Sequence, residues 1–85
     1  MEVNRIQLII LSVMQKMNAT NQVSSISIAN IQEGIRSIKS YSTLYRCMNF
    51  LCDNGLIKYG VKDGKFNTYY ITQGGIEKLE EMIKC

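Results

Sequence analysis

The clearest hydrophobic pattern in the chain lies between residues 40 and 54. Its apolar residues recur at helical spacing on one face: Leu44, Cys47, Met48, Leu51 and Cys52. Ser40 is a suitable N-cap, because its hydroxyl can accept a hydrogen bond from a free backbone N–H of the first turn. Asn54-Gly55 is a stop signal, since glycine readily adopts the left-handed conformation that closes a helix. The pattern therefore predicts an amphipathic helix over residues 40–54.

The opposite face of this predicted helix is polar. It carries hydroxyl, amide and guanidinium groups on Tyr41, Ser42, Thr43, Tyr45, Arg46 and Asn49. No acidic residue follows Ser40 before Asp53. A rigid helix with such a face can lie in the major groove of DNA and read base edges. Capped helices with a polar outer face are also common in proteins that bind no DNA, so this helix by itself does not establish DNA binding.

The segment before this helix predicts two further helices. The first covers residues 3–17, and its apolar positions are Val3, Ile6, Leu8, Ile9, Ile10, Leu11, Val13, Met14 and Met17. We assign Leu8, Ile9 and Leu11 to flanks that widen the inward face. A helix apolar on most sides is either deeply buried or shared with a partner. In a domain of 85 residues, whose core is small, we favour the partner and predict a homodimer through helix 3–17.

The second predicted helix begins at Ser27 as its N-cap and directs Ile28, Ile31 and Ile35 inward. A short strand over residues 23–26 precedes it, and residues 36–39 form the turn into helix 40–54. Helix, turn and helix at this spacing predict a helix-turn-helix motif.

After Gly55 the hydrophobic period changes from 3.6 to 2. Ile57, Tyr59 and Val61 alternate with polar or small residues, and residues 66–71 return as a second strand. The Asp63-Gly64 pair between them is a strong signal for a hairpin turn. Thr72 then caps a last helix, whose inward face we assign to Ile76, Leu79, Met82 and Ile83.

Charge is concentrated in the middle of the chain. The net charge is +3, and residues 36–65 hold six basic residues against two acidic ones. Residues 1–35 are neutral and residues 66–85 carry one net negative charge. The phosphate backbone of a nucleic acid would attract the central region.

The composition excludes several kinds of catalytic and metal-binding site. The chain has no histidine, which excludes zinc sites that contain histidine and Ser-His or Cys-His catalysis. Its three cysteines show no Cys-x-x-Cys spacing, and we expect Cys47 and Cys52 to be core residues of a reduced, cytoplasmic protein. We find no signal peptide and no apolar run of membrane-spanning length. We therefore expect no membrane association, no metal site, no cofactor and no enzymatic activity.

The order of elements and several residues in register resemble winged helix-turn-helix transcription regulators of the PadR and MarR types. The matching positions are Ser40, Thr43, Leu44, Tyr45, Arg46, Leu51, Gly55, Leu56, Ile57, Thr68, Tyr69, Tyr70, Ile71, Thr72, Gly75, Leu79 and Glu80. The His-Gly-Tyr segment usual in PadR proteins is absent. The resemblance implies an α+β fold with a three-helix core, a β-hairpin wing and a C-terminal helix, as a single minimal domain over residues 1–85.

Such minimal winged helices are also similar to small phage, plasmid and archaeal-virus DNA-binding proteins. These include the centromere-binding adaptors of tubulin-like partition systems. The leading hypothesis is a dimeric, sequence-specific protein for double-stranded DNA, with helix 40–54 in the major groove and wing 58–66 on the backbone or in the minor groove. The predicted DNA-binding residues are Lys39, Ser40, Tyr41, Ser42, Thr43, Tyr45, Arg46, Asn49, Lys58, Lys62 and Lys65.

These residues have different expected roles. Arg46 can pair with guanine, or with a phosphate instead, and Asn49 can pair with adenine. Lys62 and Lys65 would contact phosphate or the minor groove, and Lys39 and Lys58 would add backbone contacts.

The sequence is compatible with other functions. A transcription regulator and a partition adaptor need the same chemistry at the DNA, but the adaptor would also recruit a filament protein. A winged helix that binds only proteins is a further alternative, with Tyr41, Tyr45 and Phe50 at its interface.

Overall fold

The fold consists of four helices and one small antiparallel sheet. The computed structural model describes residues 3–35, 40–62, 64 and 67–83. In chain order the elements are α1 (Arg5–Lys16), β1 (Ile26–Ser27), α2 (Ile28–Gly34), α3 (Tyr41–Asp53), β2 (Ile57–Tyr59), β3 (Thr68–Ile71) and α4 (Gln73–Ile83). The strand order is β1-β3-β2. The predicted α+β winged-helix fold is confirmed.

Each helix begins at a side chain that accepts a backbone N–H. Ser27 accepts from Asn30 and Ser40 accepts from Thr43, each at 3.3 Å, while Thr72 accepts from Gly75 at 3.1 Å. These three caps were predicted. The cap of α1 was not: the side chain of Asn4 accepts from the backbone of Gln7, and that of Gln7 accepts from the backbone of Asn4. This capping box starts the helix two residues later than the apolar pattern suggested.

The short strand predicted over residues 23–26 is displaced toward the C-terminus. Val23 lies in a turn and is 92% exposed, whereas the strand pairs Ile26 with Tyr69. Side-chain hydrogen bonds explain the difference. Asn21 Oδ1 accepts from the backbone N–H of Ser24 at 3.0 Å, and the Ser25 hydroxyl donates to the carbonyl of Gln22 at 2.8 Å. Such local bonds compete with a strand ladder.

The hairpin follows the predicted alternation over a shorter length. Ile57 pairs with Ile71 and Tyr59 with Tyr69, so these four side chains share one face of the sheet. Strand β2 ends at Tyr59 and β3 begins at Thr68, inside the predicted limits of 61 and 66. Gly64 has the positive φ (61°) that suits the predicted turn, while Asp63 lies outside the described residues.

The faces predicted for α2 and α3 are part of the core. Ile28, Ile31 and Ile35 are buried, as are four residues of α3: Leu44, Cys47, Met48 and Leu51. Cys52 is half-buried and packs against them. In α4, Leu79 is buried and Ile76 is half-buried, but Met82 and Ile83 are exposed. Their predicted inward position is therefore wrong, because α4 continues past the edge of the core.

Helix α1 packs against α2, α3, α4 and β3, so the chain itself covers most of its apolar surface. Ile10, Leu11 and Met14 are fully buried, whereas Met17 is 43% exposed. The prediction therefore misplaced Leu11, assigned to a flank, and Met17, assigned inward. Leu8 and Ile9 are half-buried against the core. The homodimer through helix 3–17 stays a prediction.

Candidate nucleic-acid interface

The polar face of α3 is presented to solvent. Tyr41, Ser42, Tyr45 and Arg46 are exposed, and Thr43 and Asn49 are half-buried on the flanks. Ser40, just before the helix, is exposed, and its hydroxyl oxygen accepts the N–H of Thr43. The structure thus brings seven of the eleven predicted DNA-binding residues together on one helix and its cap. The buried opposite face holds this helix rigidly on the core.

Two tyrosines dominate the first turns of that face. The rings of Tyr41 and Tyr45 stack, with centroids 6.4 Å apart and planes 24° apart. Their i, i+4 spacing permits this contact, because it places side chains one above the other on a helix. Ser42 and Arg46 line a shallow depression together with the two rings.

Three cations of the predicted DNA-binding set lie among the described residues and are exposed. Arg46 lies on α3, Lys58 lies on β2 opposite Tyr70, and Lys62 follows β2; all three are exposed. None of them forms an ion pair with a carboxylate of the described residues. The salt bridge seen in this part of the chain joins Lys78 and Glu81 on α4, at 3.7 Å. Lys39 and Lys65, also predicted to bind DNA, lie outside the described residues.

A third exposed tyrosine lies beside α3 and was absent from the predicted site. Tyr59 is on β2, which packs against α3, and its ring centroid is 5.2 Å from that of the buried Tyr69. Partial burial raises the pKa of Tyr59, and Cys52, Tyr45 and Asp53, all on α3, raise it further. The alternation in the sequence grouped Tyr59 with Ile57 and Val61 and did not assign it to the DNA-binding surface. What the sequence could not show is that β2 ends there, where the core no longer covers the ring.

Burial raises the pKa of several tyrosine and cysteine side chains that lie beneath or beside this surface. Burial, followed by smaller effects of Tyr59, Cys52, Tyr45 and Tyr41, raises the pKa of Tyr69 to about 12. Burial also raises the pKa of the Cys47 thiol, and burial together with Asp53 raises that of Cys52. Protonated thiols are poor nucleophiles and poor metal ligands. The described part of the chain holds no group of three or more His, Cys, Asp or Glu residues that could bind a metal ion.

None of the described helices combines the length and the apolar character needed to cross a membrane.

Solved structures resemble this chain over nearly its whole length, although no family model and no curated protein matches it. TubR from Bacillus megaterium pBM400 superposes with a TM-score of 0.84 at 20% identity, covering 96% of this chain and 88% of that one. RosR of H. salinarum superposes with a TM-score of 0.80 at 17% identity, covering 98% and 73%. At these identities both show the fold alone.

A third structure is closer in sequence. The solution structure of the DNA-binding TubR fragment from Clostridium botulinum has a TM-score of 0.72 and 30% identity, covering 96% of this chain and 99% of that one. These neighbours confirm a winged helix, whereas the finer resemblance to PadR or MarR proteins is not confirmed. At 30% identity over almost the full length of both chains, this protein belongs to the same winged-helix family as the DNA-binding TubR fragment.

Proposed function

We propose that this protein binds double-stranded DNA site-specifically, with α3 in the major groove and the wing, residues 58–66, on the backbone or in the minor groove. The observation that carries the proposal is the outer face of α3. It is polar, exposed and rigidly supported, and its one cation, Arg46, has no carboxylate partner among the described residues. Membership in the family of a DNA-binding fragment supports the same function.

The contacts are assigned by position and chemistry. Arg46 is exposed and can donate two hydrogen bonds to guanine, and the half-buried Asn49 can pair with adenine, each worth about 1–3 kcal/mol of discrimination. Lys58 and Lys62 are exposed, and in this proposal they contact phosphates, which fix the register of the protein on the duplex. Lys39 and Lys65 complete the proposed set of phosphate contacts.

Two cellular roles fit this chemistry. Resemblance to two TubR structures supports a centromere-binding adaptor of a plasmid or phage partition system, which would recruit a filament protein. Resemblance to RosR is compatible with transcription regulation. The arrangement of DNA sites separates the two roles, because an adaptor needs tandem sites whereas a regulator needs only one or two inverted half-sites.

We further propose that the protein is a homodimer through helix 3–17. Met17 is exposed at the end of α1, Leu8 and Ile9 are half-buried, and Met82 and Ile83 add apolar surface on α4, which packs against α1. Small domains often gain stability by burying such surface against a second copy. Sedimentation should give the mass of two chains at tens of micromolar protein, and the mass of one chain would overturn this proposal.

Fluorescence anisotropy tests DNA binding directly. Labelled duplexes tiled across the DNA flanking the gene are titrated with protein at physiological salt, against a scrambled duplex of equal length. Tight binding to one tile is expected; repeated sites in it indicate partition, and a single palindrome over a promoter indicates regulation. Equal, weak binding to every tile would overturn site-specific recognition and favour a winged helix that binds proteins.

A further inference from the structure

We infer that Tyr41 and Tyr45 read the 5-methyl groups of thymines in the major groove. This inference deepens the proposed function and rests on it, because it names a chemical feature of the DNA site and the two side chains that recognise it.

The two rings are apolar surface that the fold does not use internally. Tyr41 is 52% exposed and Tyr45 is 45% exposed, although their rings stack on each other. Tyr69, by contrast, is 1% exposed and packs its ring in the core. Exposed aromatic surface at this scale gains free energy when a partner covers it.

The surroundings of the rings match the edge of a base pair. Ser42 and Arg46 line the same depression as the two rings, so hydroxyl and guanidinium donors lie next to an apolar floor. In the major groove the bases present hydrogen-bonding groups and a single kind of apolar group, the thymine methyl. A thymine beside a guanine therefore offers a methyl to the rings and acceptors to Arg46.

Charge favours DNA as the occupant of this surface. Residues 36–65 hold six basic residues against two acidic ones, and Arg46, which lines the same depression as the two rings, has no carboxylate partner among the described residues. A polyanion is therefore attracted to the side of the protein that carries the tyrosine pair.

Uracil provides the test, because it differs from thymine only by the missing methyl. The tightest-binding duplex is selected from a random library with the full chain. Each of its thymines is then replaced singly by uracil, and Kd is measured by anisotropy. Burial of about 0.8 kcal/mol per methyl corresponds to roughly a fourfold increase in Kd at each contacted thymine. Thymines outside the site should show no change.

Variants connect the effect to the two rings. Tyr41→Ala or Tyr45→Ala should bind more weakly and should no longer distinguish thymine from uracil at the affected position. Tyr41→Phe and Tyr45→Phe keep the rings and should retain the discrimination, which separates ring contacts from hydrogen bonds of the phenol hydroxyls.

Two results would overturn the inference while leaving DNA binding intact: equal Kd for thymine and uracil at every position, or discrimination that survives in both alanine variants. If the chain binds no duplex more tightly than a scrambled one, the proposed function itself fails and this inference fails with it.

Discussion

The side chain of Thr72 joins the end of α3 to the start of α4 through the carbonyl of Gly55. Thr72 Oγ1 lies 2.7 Å from the carbonyl oxygen of Gly55 and 3.0 Å from that of Leu56, and it accepts the N–H of Gly75 at 3.1 Å. The backbone N–H of Thr72 also donates to Leu56, at 3.0 Å. One residue therefore fixes the exit of the proposed recognition helix and caps the next helix.

Thr72→Val should remove these hydroxyl contacts while keeping the β-branched shape. Loss of a helix cap and of a hydrogen bond to a backbone carbonyl costs about 1–2 kcal/mol of unfolding free energy. Urea denaturation followed by circular dichroism measures the change. Thr72→Ser retains the hydroxyl and is the matched control; equal stability of the valine variant and the wild type would contradict the assigned role.

Gly75 and Gly74 are neighbours that should respond oppositely to alanine. A Cβ on Gly75 would lie 2.1 Å from the carbonyl oxygen of Leu56 and 2.7 Å from Cγ1 of Ile71, so α4 would have to move away from β3. At Gly74 the nearest atoms are 3.6 and 3.7 Å away, which is ordinary contact.

We therefore expect Gly75→Ala to lower the unfolding free energy by about 1–3 kcal/mol, in the range of overpacking changes. Gly74→Ala should leave it unchanged or raise it by up to about 1 kcal/mol, because alanine favours helix. Thermal and urea denaturation of both variants provide the comparison. An unchanged unfolding free energy for Gly75→Ala would contradict the close approach of α4 to the carbonyl of Leu56.

The fold was predictable where a local signal and the burial pattern agree. Ser40, Gly55 and the apolar face with Leu44 and Met48 predict α3 almost to the residue, because cap, stop signal and helical period all mark the same segment. The strand at Val23 was mispredicted since β-branched residues suggested pairing, whereas the side chain of Asn21 closes a turn there. A hydrophobic pattern carries no information about side-chain hydrogen bonds that compete with strand pairing.

The candidate site was predictable in part for a similar reason. A helix face follows from spacing, so Tyr45 and Arg46 could be placed on the outer side of α3 from the sequence. Tyr59 could not, because its exposure depends on where β2 ends and on how the strand packs against α3. The stacking of Tyr41 on Tyr45 is permitted by the spacing but is set by the side-chain conformations.

Stability at alkaline pH should depend on Tyr69. Its pKa is raised from 10.0 to about 12 in the folded chain, so the unfolded chain loses the phenol proton first. Its contribution to stability is fully present below about pH 10 and is lost as the pH rises through about 12. The cysteines change stability in the same direction, because burial also raises their pKa.

The comparison with Tyr69→Phe isolates the phenol, since phenylalanine cannot titrate. Denaturation midpoints measured from pH 8 to pH 11.5 should fall more steeply for the wild type than for the variant above about pH 10. Parallel pH profiles would show that the Tyr69 hydroxyl is not shielded from solvent in the folded state.

Variants of base-contacting and of phosphate-contacting residues should change different properties of DNA binding, namely the sequence preference and the salt dependence. Arg46→Ala should reduce the preference for the selected duplex over a scrambled one, because it removes a group proposed to reach base edges.

Lys58→Ala combined with Lys62→Ala should weaken binding to all duplexes. It should also flatten the slope of log K against log salt by about 1–2 units, since each phosphate contact contributes about 0.9. Lys78→Ala is the control and should leave both quantities unchanged, because α4 lies outside the proposed DNA contacts. A lysine double variant with an unchanged slope would place the wing away from the DNA, and an arginine variant with unchanged preference would assign Arg46 to the backbone.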